Sequence, residues 1–219
     1  MRNYIRYVIY LLVFIGSSSV FSGSYEDFFI AIKQDDSRTV ESLLKRGFDP
    51  NARDPKGFHG LFLAVKEPSP KVAAVLVAWP KTDVEPRTAE DESPLMIASL
   101  NGDLELARQL VRRGAHVNKP GWTALHYAAT NGHLAVISFL LEESAYIDAE
   151  APSGATPLMM AAHYATPQSV KLLLDEGADP LLKDRRGLTA IDFANRANRT
   201  ESAELIATHV RNRQPRGKW

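Results

Sequence analysis

The chain has 219 residues, of which 45% are hydrophobic and 24% are charged, proportions typical of a folded globular protein. Lys and Arg together number 26, as do Asp and Glu, so the zero net charge gives no general attraction to nucleic acid or to an anionic membrane. There is no cysteine, which excludes disulfides, thiolate metal sites, a cysteine nucleophile and a lipid-anchored cysteine.

The first 22 residues have the pattern of a secretory signal peptide. Arg2 and Arg6 are followed by an unbroken apolar run over residues 7–15 and then by small residues, the order that precedes signal cleavage. The apolar run is shorter than the roughly 20 residues that a membrane-spanning helix needs. We expect cleavage after Ser22 and export to the periplasm. The alternatives are an uncleaved signal that anchors the protein in the membrane, and secretion from the cell.

Residues 25–56 are predicted to form a helix pair at one end of the fold. Glu26, Lys33 and Asp35 make its first helix more polar than the segments that follow, as is typical of a terminal capping unit. Gly47 comes after the Leu43-Leu44 pair and is predicted to end the second helix in the left-handed conformation.

Two motifs then recur along the chain at a nearly constant period. In the first, a Thr or Ser precedes Pro or Ala, an apolar residue and a later Ala; it occurs at Ser93, Thr123, Thr156 and Thr189, with a weaker copy around His59. In the second, an apolar pair, two charged residues and a small residue precede Ala or Phe, at residues 43–48, 110–115, 140–145 and 173–178. Two interlocking motifs at one period indicate a stack of structural repeats.

The residues of these motifs also predict where the helices begin and end. Thr or Ser before Pro or Ala is a helix N-cap, and a proline at the first helical position loses no hydrogen bond. Caps of the second helices are predicted at Asp36, Ser69, Asp103, His133 and Thr166. Gly114 and Gly177 are predicted to end second helices, whereas Trp79-Pro80 replaces the glycine in one repeat.

The two motifs resemble those of the ankyrin repeat, whose period and T-P-L-H-x-A signature they share. The resemblance covers about residues 25–210 and gives units at 25–56, 57–91, 92–120, 121–153 and 154–186, with a partial sixth from 187. It implies an all-α ankyrin-repeat solenoid of stacked helix–turn–helix units with extended fingers, five to six repeats including the caps. The predicted domains are a signal peptide at 1–22, an ankyrin-repeat domain at 25–208 and a basic flexible tail at 209–219.

No catalytic motif is present, and the resemblance implies a non-enzymatic binding protein without cofactor or metal. In the family, the histidine equivalent to His126 hydrogen-bonds to loop backbone, and we expect the same role here. The acidic residues Glu85, Glu90, Asp91 and Glu92 are expected to form a solvated charge run on an exposed finger.

Ligands of ankyrin repeats contact the fingers and the exposed ends of the first helices, which implies candidate protein-binding residues here. Those on the fingers are Lys56, Phe58, Trp122 and Arg186, and those at the helix ends are Lys66, Glu67, Thr130, Asn131, His163, Tyr164 and Arg196. For Trp122, packing on the neighbouring finger is the alternative interpretation. Thr130, Asn131 and Tyr164 are predicted to serve neither the caps nor the core, and therefore to be available to a partner.

The resemblance implies a monomeric protein-interaction module acting in the periplasm, as an accessory or protective partner of another exported protein. The alternatives are an immunity protein that inhibits a toxic envelope-targeted enzyme, and a secreted effector that binds a host protein. Neither nucleic acid nor, beyond the signal peptide, a membrane is an expected partner.

Overall fold

The computed structural model describes residues 23–213, which form twelve α-helices and no strand longer than the isolated antiparallel bridge between Arg53 and His59. The predicted signal peptide, its cleavage point after Ser22 and the last six residues of the predicted tail lie outside the described residues. The prediction of an all-α fold is confirmed. The chain divides into two compact units, with the boundary between Pro86 and Arg87.

The first unit contains two helix pairs. Its helices are α1 (residues 23–33), α2 (Ser37–Lys45), α3 (Gly60–Lys66) and α4 (Pro70–Ala78). Phe28, Leu43, Phe62 and Leu76 are fully or almost fully buried in its core. A Cβ atom added to Gly60 would lie 2.7 Å from the ring of Phe28, so this glycine lets α1 and α3 approach closely.

Two of the predicted caps in this unit differ in their partners. The Asp36 side chain accepts the backbone N–H groups of Arg38 and Thr39 and caps α2 as predicted. The Ser69 hydroxyl was expected to cap α4 but instead donates to the carbonyl of Ile32 at 2.6 Å. The N-terminus of α4 is capped by a residue of the preceding helix pair, because the N–H of Val72 donates to the Asp35 carboxylate.

The second unit contains four helix pairs. They are α5 (Pro94–Asn101) with α6 (Leu104–Arg112), α7 (Ala124–Asn131) with α8 (Leu134–Glu142), α9 (Pro157–Tyr164) with α10 (Pro167–Asp175), and α11 (Ala190–Arg196) with α12 (Thr200–Arg213). The first helices α5, α7, α9 and α11 contact one another in that order, and α6, α8, α10 and α12 form a second layer. Ala128, Ala129, Ala161 and Ala162 are fully buried, because small side chains let neighbouring helices approach. Leu140, on the second layer, is also fully buried.

Most helix ends in this unit follow the sequence prediction. Ser93, Asp103 and Thr156 accept backbone N–H groups as N-caps. His133 and Thr166 occupy N-cap positions, as predicted, but neither side chain accepts a capping hydrogen bond.

The helices α2, α6, α8 and α10 are each followed by a residue in the left-handed conformation. Gly47, Gly114 and Gly177 have φ angles of 91°, 94° and 101°, as predicted. Ser144 occupies the equivalent position after α8 with a φ of 66°. In the repeat that lacks the glycine, α4 ends with Trp79 in an extended conformation.

The predicted boundary of the flexible tail needs correction. Helix α12 continues to Arg213, so residues 209–213 extend the last helix of the repeats. The buried residues of α12 are Ser202, Ala203 and Ile206, and the helix contacts α10 and α11.

Candidate protein-binding surface

Two buried histidines fix the bases of the fingers. In the second unit, His126 Nδ1 accepts the backbone N–H of Thr123 at 3.2 Å, and Nε2 therefore donates to the carbonyl of Ala155 at 3.0 Å. In the first unit, His59 Nδ1 accepts the N–H of Leu61, and its Nε2 donates to the Asn51 side chain. The expected backbone-bonding role of His126 is confirmed.

Both histidines are held in the neutral form. Burial lowers the pKa of His59 and of His126 to about 4, because the charged imidazolium loses its hydration. Within residues 23–213, no group of three or more His, Asp and Glu side chains is arranged to hold a metal ion. No helix in the same range has the length and apolar character to cross a membrane.

The four candidate residues of the first unit lie around one cleft. Lys56, Phe58, Lys66 and Glu67 line a cleft of about 320 Å³ between the finger and the ends of α1 and α3. The Lys66 ammonium lies 5.0 Å from the centre of the Phe58 ring, within the distance of a cation–π interaction. Four of the residues predicted from the sequence therefore lie together, and their role in binding stays a prediction.

Sequence reasoning missed the α1 side of this cleft. Phe29 and Lys33 also line it, with Asp54, Pro55 and Leu63. Lys33 was interpreted as a polar residue of a capping helix. Its spacing of four residues from Phe29 places both on one helix face, which was the available signal. We call this site the lysine cleft, after Lys33, Lys56 and Lys66.

In the second unit, three candidates gather around Phe193. The rings of His163 and Tyr164 are 4.3 Å apart, and His163 Nδ1 lies 3.2 Å from the Phe193 carbonyl oxygen. The Arg186 guanidinium lies 5.5 Å from the Phe193 ring centre. Tyr164 is 55% exposed, whereas Phe193 is buried. We call these four residues the Tyr164 patch.

The guanidinium of Arg186 is largely committed to its own finger. Its Nε and Nη2 atoms both lie 2.8 Å from Oδ2 of Asp184, whose side chain is buried. Burial raises the pKa of Asp184, but hydrogen bonds from the N–H groups of Leu188 and Arg186 and from the Arg186 side chain outweigh it, so the pKa is lowered overall. Arg196, at the end of α11, is exposed.

Thr130 and Asn131 are not available in the way that the sequence indicated. The Thr130 hydroxyl donates to the carbonyl of His126 at 2.8 Å, and the Asn131 amide donates to the carbonyl of Leu100 at 2.8 Å. The prediction that the fold requires neither side chain was wrong. Both end α7, where main-chain acceptors of the same or the preceding repeat lie within reach.

Trp122 is half-buried at the base of its finger. The centre of its ring lies 5.2 Å from that of His126 and 6.5 Å from that of Tyr127, and both pairs are edge-on. Lys119 donates to the Trp122 carbonyl and pairs with Asp91. The Trp122 ring therefore packs on two side chains of α7, and its packing on the neighbouring finger stays a prediction.

The acidic finger is less uniformly solvated than expected. Asp91 pairs with Lys119 at 2.5 Å, and the hydrogen bond from Lys119 lowers the pKa of Asp91. Glu92 accepts the Tyr127 hydroxyl at 2.8 Å. Burial, and then this hydrogen bond, raise the pKa of Tyr127. Glu90 is exposed, as the sequence predicted.

Family models agree with this architecture over most of the chain. A model of three ankyrin repeats matches residues 28–120 and 61–151, and a model of many ankyrin repeats matches residues 142–194. The chain belongs to the ankyrin-repeat family. Ankyrin repeats bind other proteins, and the family is a non-enzymatic interaction module.

Relatives differ widely in how much of them this ankyrin-repeat chain covers. The mouse ankyrin repeat and SAM domain-containing protein 6 is 35% identical over 138 residues, which are 59% of this chain and 16% of that protein. The putative ankyrin repeat protein YahD of Escherichia coli is 28% identical over 190 residues, 82% of this chain and 94% of the relative. The chain therefore spans a small part of the mouse protein and nearly all of the bacterial one.

A solved structure resembles this ankyrin chain over most of its length. It is the complex of a predatory endopeptidase from Bdellovibrio bacteriovorus with an immunity protein. The match has a TM-score of 0.72 and 28% identity, and covers 83% of this chain and 97% of the matched chain.

Proposed function

We propose that the protein is a periplasmic binding module that acts as a protective partner of another exported protein. The observation that carries the proposal is that exposed basic and aromatic groups gather at both candidate surfaces. Lys56 and Lys66 border the lysine cleft, and Tyr164 is exposed at the Tyr164 patch. Tyrosine is among the residue types that are enriched where binding energy concentrates.

The periplasmic location is part of the proposal and has its own support. Arg2 and Arg6, the apolar run and the small residues before Gly23 have the order of a cleaved export signal. Mass spectrometry of the protein from its native host should give a mature N-terminus at Gly23 or within a few residues of it. An intact Met1 in the cytosolic fraction would contradict export, and an intact Met1 in the membrane fraction would favour the anchored form.

A second, narrower function is favoured by a specific observation. The matched structure is that of an immunity protein in complex with an endopeptidase, and the match covers 97% of the matched chain. By analogy, this protein would bind an exported peptidase and block its access to substrate. A rigid repeat surface can do this without chemistry of its own, because covering an active site excludes substrate sterically.

Affinity capture from the envelope fraction of the native host tests both functions. The wild-type protein should retain an exported protein, and the Tyr164→Ala variant should retain much less of it. If the immunity function is correct, the partner released from the captured complex should have a peptidase activity that the purified protein abolishes. An active partner in the saturated complex would exclude that function and leave the binding function in place. Equal capture by wild-type and Tyr164→Ala protein would contradict the use of the Tyr164 patch.

A further inference from the structure

The lysine cleft combines three positive charges with an apolar floor. Lys33, Lys56 and Lys66 line it from α1, the finger and α3, and all three are exposed. Phe29 and Leu63, both nearly buried, form part of its wall. Within the described part of the chain, none of the three ammonium groups takes part in a salt bridge. Their charge is therefore available to a ligand.

The two carboxylates at the cleft limit how much negative charge it can accept. Asp54 and Glu67 also line it, so three ammonium groups face two carboxylates and the excess is one positive charge. A polyanion such as nucleic acid would meet both carboxylates. A single carboxylate beside an apolar side chain matches both the excess charge and the aromatic wall.

The finger backbone further restricts the source of that carboxylate. A chain terminus is commonly captured by backbone N–H groups gathered in a nest. Here the N–H groups of Lys56 and Phe58 both donate to Oδ1 of Asp54, at 2.9 and 2.8 Å. Because these N–H groups are already bonded, they cannot capture a chain terminus. The groups that remain for a carboxylate are the side-chain ammonium groups, which suit the carboxylate of an Asp or Glu side chain.

We propose that the lysine cleft binds an internal segment of the partner protein in which an Asp or Glu side chain lies next to an apolar or aromatic residue. The carboxylate lies among Lys33, Lys56 and Lys66, and the apolar side chain packs on Phe29 and Phe58. The inference rests on the proposed function as a protein-binding module and specifies the chemistry of its partner. Lys66, held over the Phe58 ring, has its ammonium oriented before the ligand arrives.

A short peptide with blocked ends tests the proposed chemistry directly. The peptide carries Glu–Leu and Glu–Phe pairs separated by Gly and Ser, and its matched control replaces each Glu with Gln. Titration into the ¹⁵N-labelled protein should shift the amide resonances of the finger and of α1 and α3, and the Gln peptide should bind about tenfold more weakly. No shift at these residues at millimolar peptide, or equal binding of both peptides, would overturn the proposal.

Protein variants provide the matched test. The Lys33→Gln, Lys66→Gln double variant should bind the Glu peptide about tenfold more weakly with an unchanged circular dichroism spectrum. A Lys45→Gln, Lys71→Gln double variant changes two exposed lysines of α2 and α4 that do not line the cleft, and should bind normally. Equal losses in both double variants would contradict a specific site.

Phosphatidylglycerol vesicles form the third arm of the test. Vesicle binding that depends on Lys33 and Lys66, in place of peptide binding, would overturn the proposal in favour of a lipid surface.

Capture of the native partner separates failure of this inference from failure of the proposed function. If the Lys33→Gln, Lys66→Gln variant captures the envelope partner normally while Tyr164→Ala does not, the binding function stands and the role of the cleft is wrong. If wild-type protein captures no exported protein yet binds the Glu peptide through the cleft, the cleft chemistry stands and the proposed function is wrong.

Discussion

The side-chain amide of Asn131 donates a 2.8 Å hydrogen bond to the carbonyl of Leu100, which lies in the preceding repeat. The bond ties the end of α7 to the end of α5. The nearby ring of His133 reaches the same carbonyl, with Nε2 at 2.8 Å from the oxygen. The Leu100 carbonyl therefore has two hydrogen-bonding partners, and both belong to the next repeat.

The Asn131→Ala variant should be less stable than the wild type. Losing one hydrogen bond between repeats should lower the free energy of unfolding by about 1 kcal/mol, measured by urea denaturation. Asn195→Ala is the control, because Asn195 is an exposed helix residue at the end of α11 and its side chain forms no hydrogen bond within residues 23–213. The control corrects for the higher helix propensity of alanine. Equal stability of the two variants would show that the bond to Leu100 contributes little.

Sequence reasoning predicted the repeat frame well and the contacts between repeats poorly, for a physical reason. A Ser or Thr before Pro, as at Ser93 and Thr156, needs only the next helical turn for its capping bond, so its role is local. The bonds from Ser69 to Ile32 and from Asn131 to Leu100 end on backbone carbonyls more than 30 residues away. Every residue has such a carbonyl, so no side-chain identity in the sequence indicates the partner.

The Ser144→Gly variant should be more stable than the wild type. Ser144 has a φ of 66°, in the left-handed region that Gly47, Gly114 and Gly177 occupy in other repeats. Relief of this backbone strain should raise the free energy of unfolding by about 0.5–1 kcal/mol. The Asn118 side-chain amide still donates to the backbone carbonyl of residue 144, because the Ser144 side chain takes no part in that bond.

Gly114→Ser is the matched reverse change. A Cβ atom at Gly114 would meet nothing within 4 Å, so only the backbone conformation is tested. The variant should lose about 1 kcal/mol of stability. If both variants melt at the wild-type temperature, the left-handed residue at the helix end has no energetic role.

Acidification should begin to destabilise the protein before most of its carboxylates titrate. The pKa values of His59 and His126 are about 4 in the folded protein, because burial disfavours the charged ring, and about 6.5 in the unfolded chain. Between these values the unfolded chain binds more protons, so the free energy of unfolding falls as the pH drops from about 6.5 to 4. The loss is at most about 3 kcal/mol for each histidine.

Urea denaturation at a series of pH values measures this dependence. Above pH 7 the contribution of these two histidines should be constant, since both states are then neutral. His126→Gln should be less stable at pH 7 but should lose less stability between pH 6.5 and 4 than the wild type. A variant with the wild-type pH dependence would show that His126 does not carry the effect.

Tyr164 should be a dominant contributor to partner binding. Tyr164 is 55% exposed, and its ring packs edge-on against His163. His163 Nδ1 in turn lies 3.2 Å from the Phe193 carbonyl oxygen, so the tyrosine ring is positioned before a partner arrives. A pre-ordered aromatic side chain gives up little conformational freedom on binding. Tyr164→Ala should therefore weaken partner binding by more than about 2 kcal/mol, which is the usual threshold for a hot spot.

Tyr146→Ala is the control for this prediction, because Tyr146 is a tyrosine with 69% exposure that follows α8 in the second layer. Isothermal titration with the captured partner should give wild-type affinity for Tyr146→Ala and at least about a 30-fold loss for Tyr164→Ala. Both variants should melt at the wild-type temperature, since neither ring is buried. The reverse order of affinities would mean that the partner contacts the loops after the second helices, and the assignment of the fingers and first-helix ends as the binding surface would be wrong. A drop in melting temperature for Tyr164→Ala alone would instead show that its contact with His163 stabilises the last repeats.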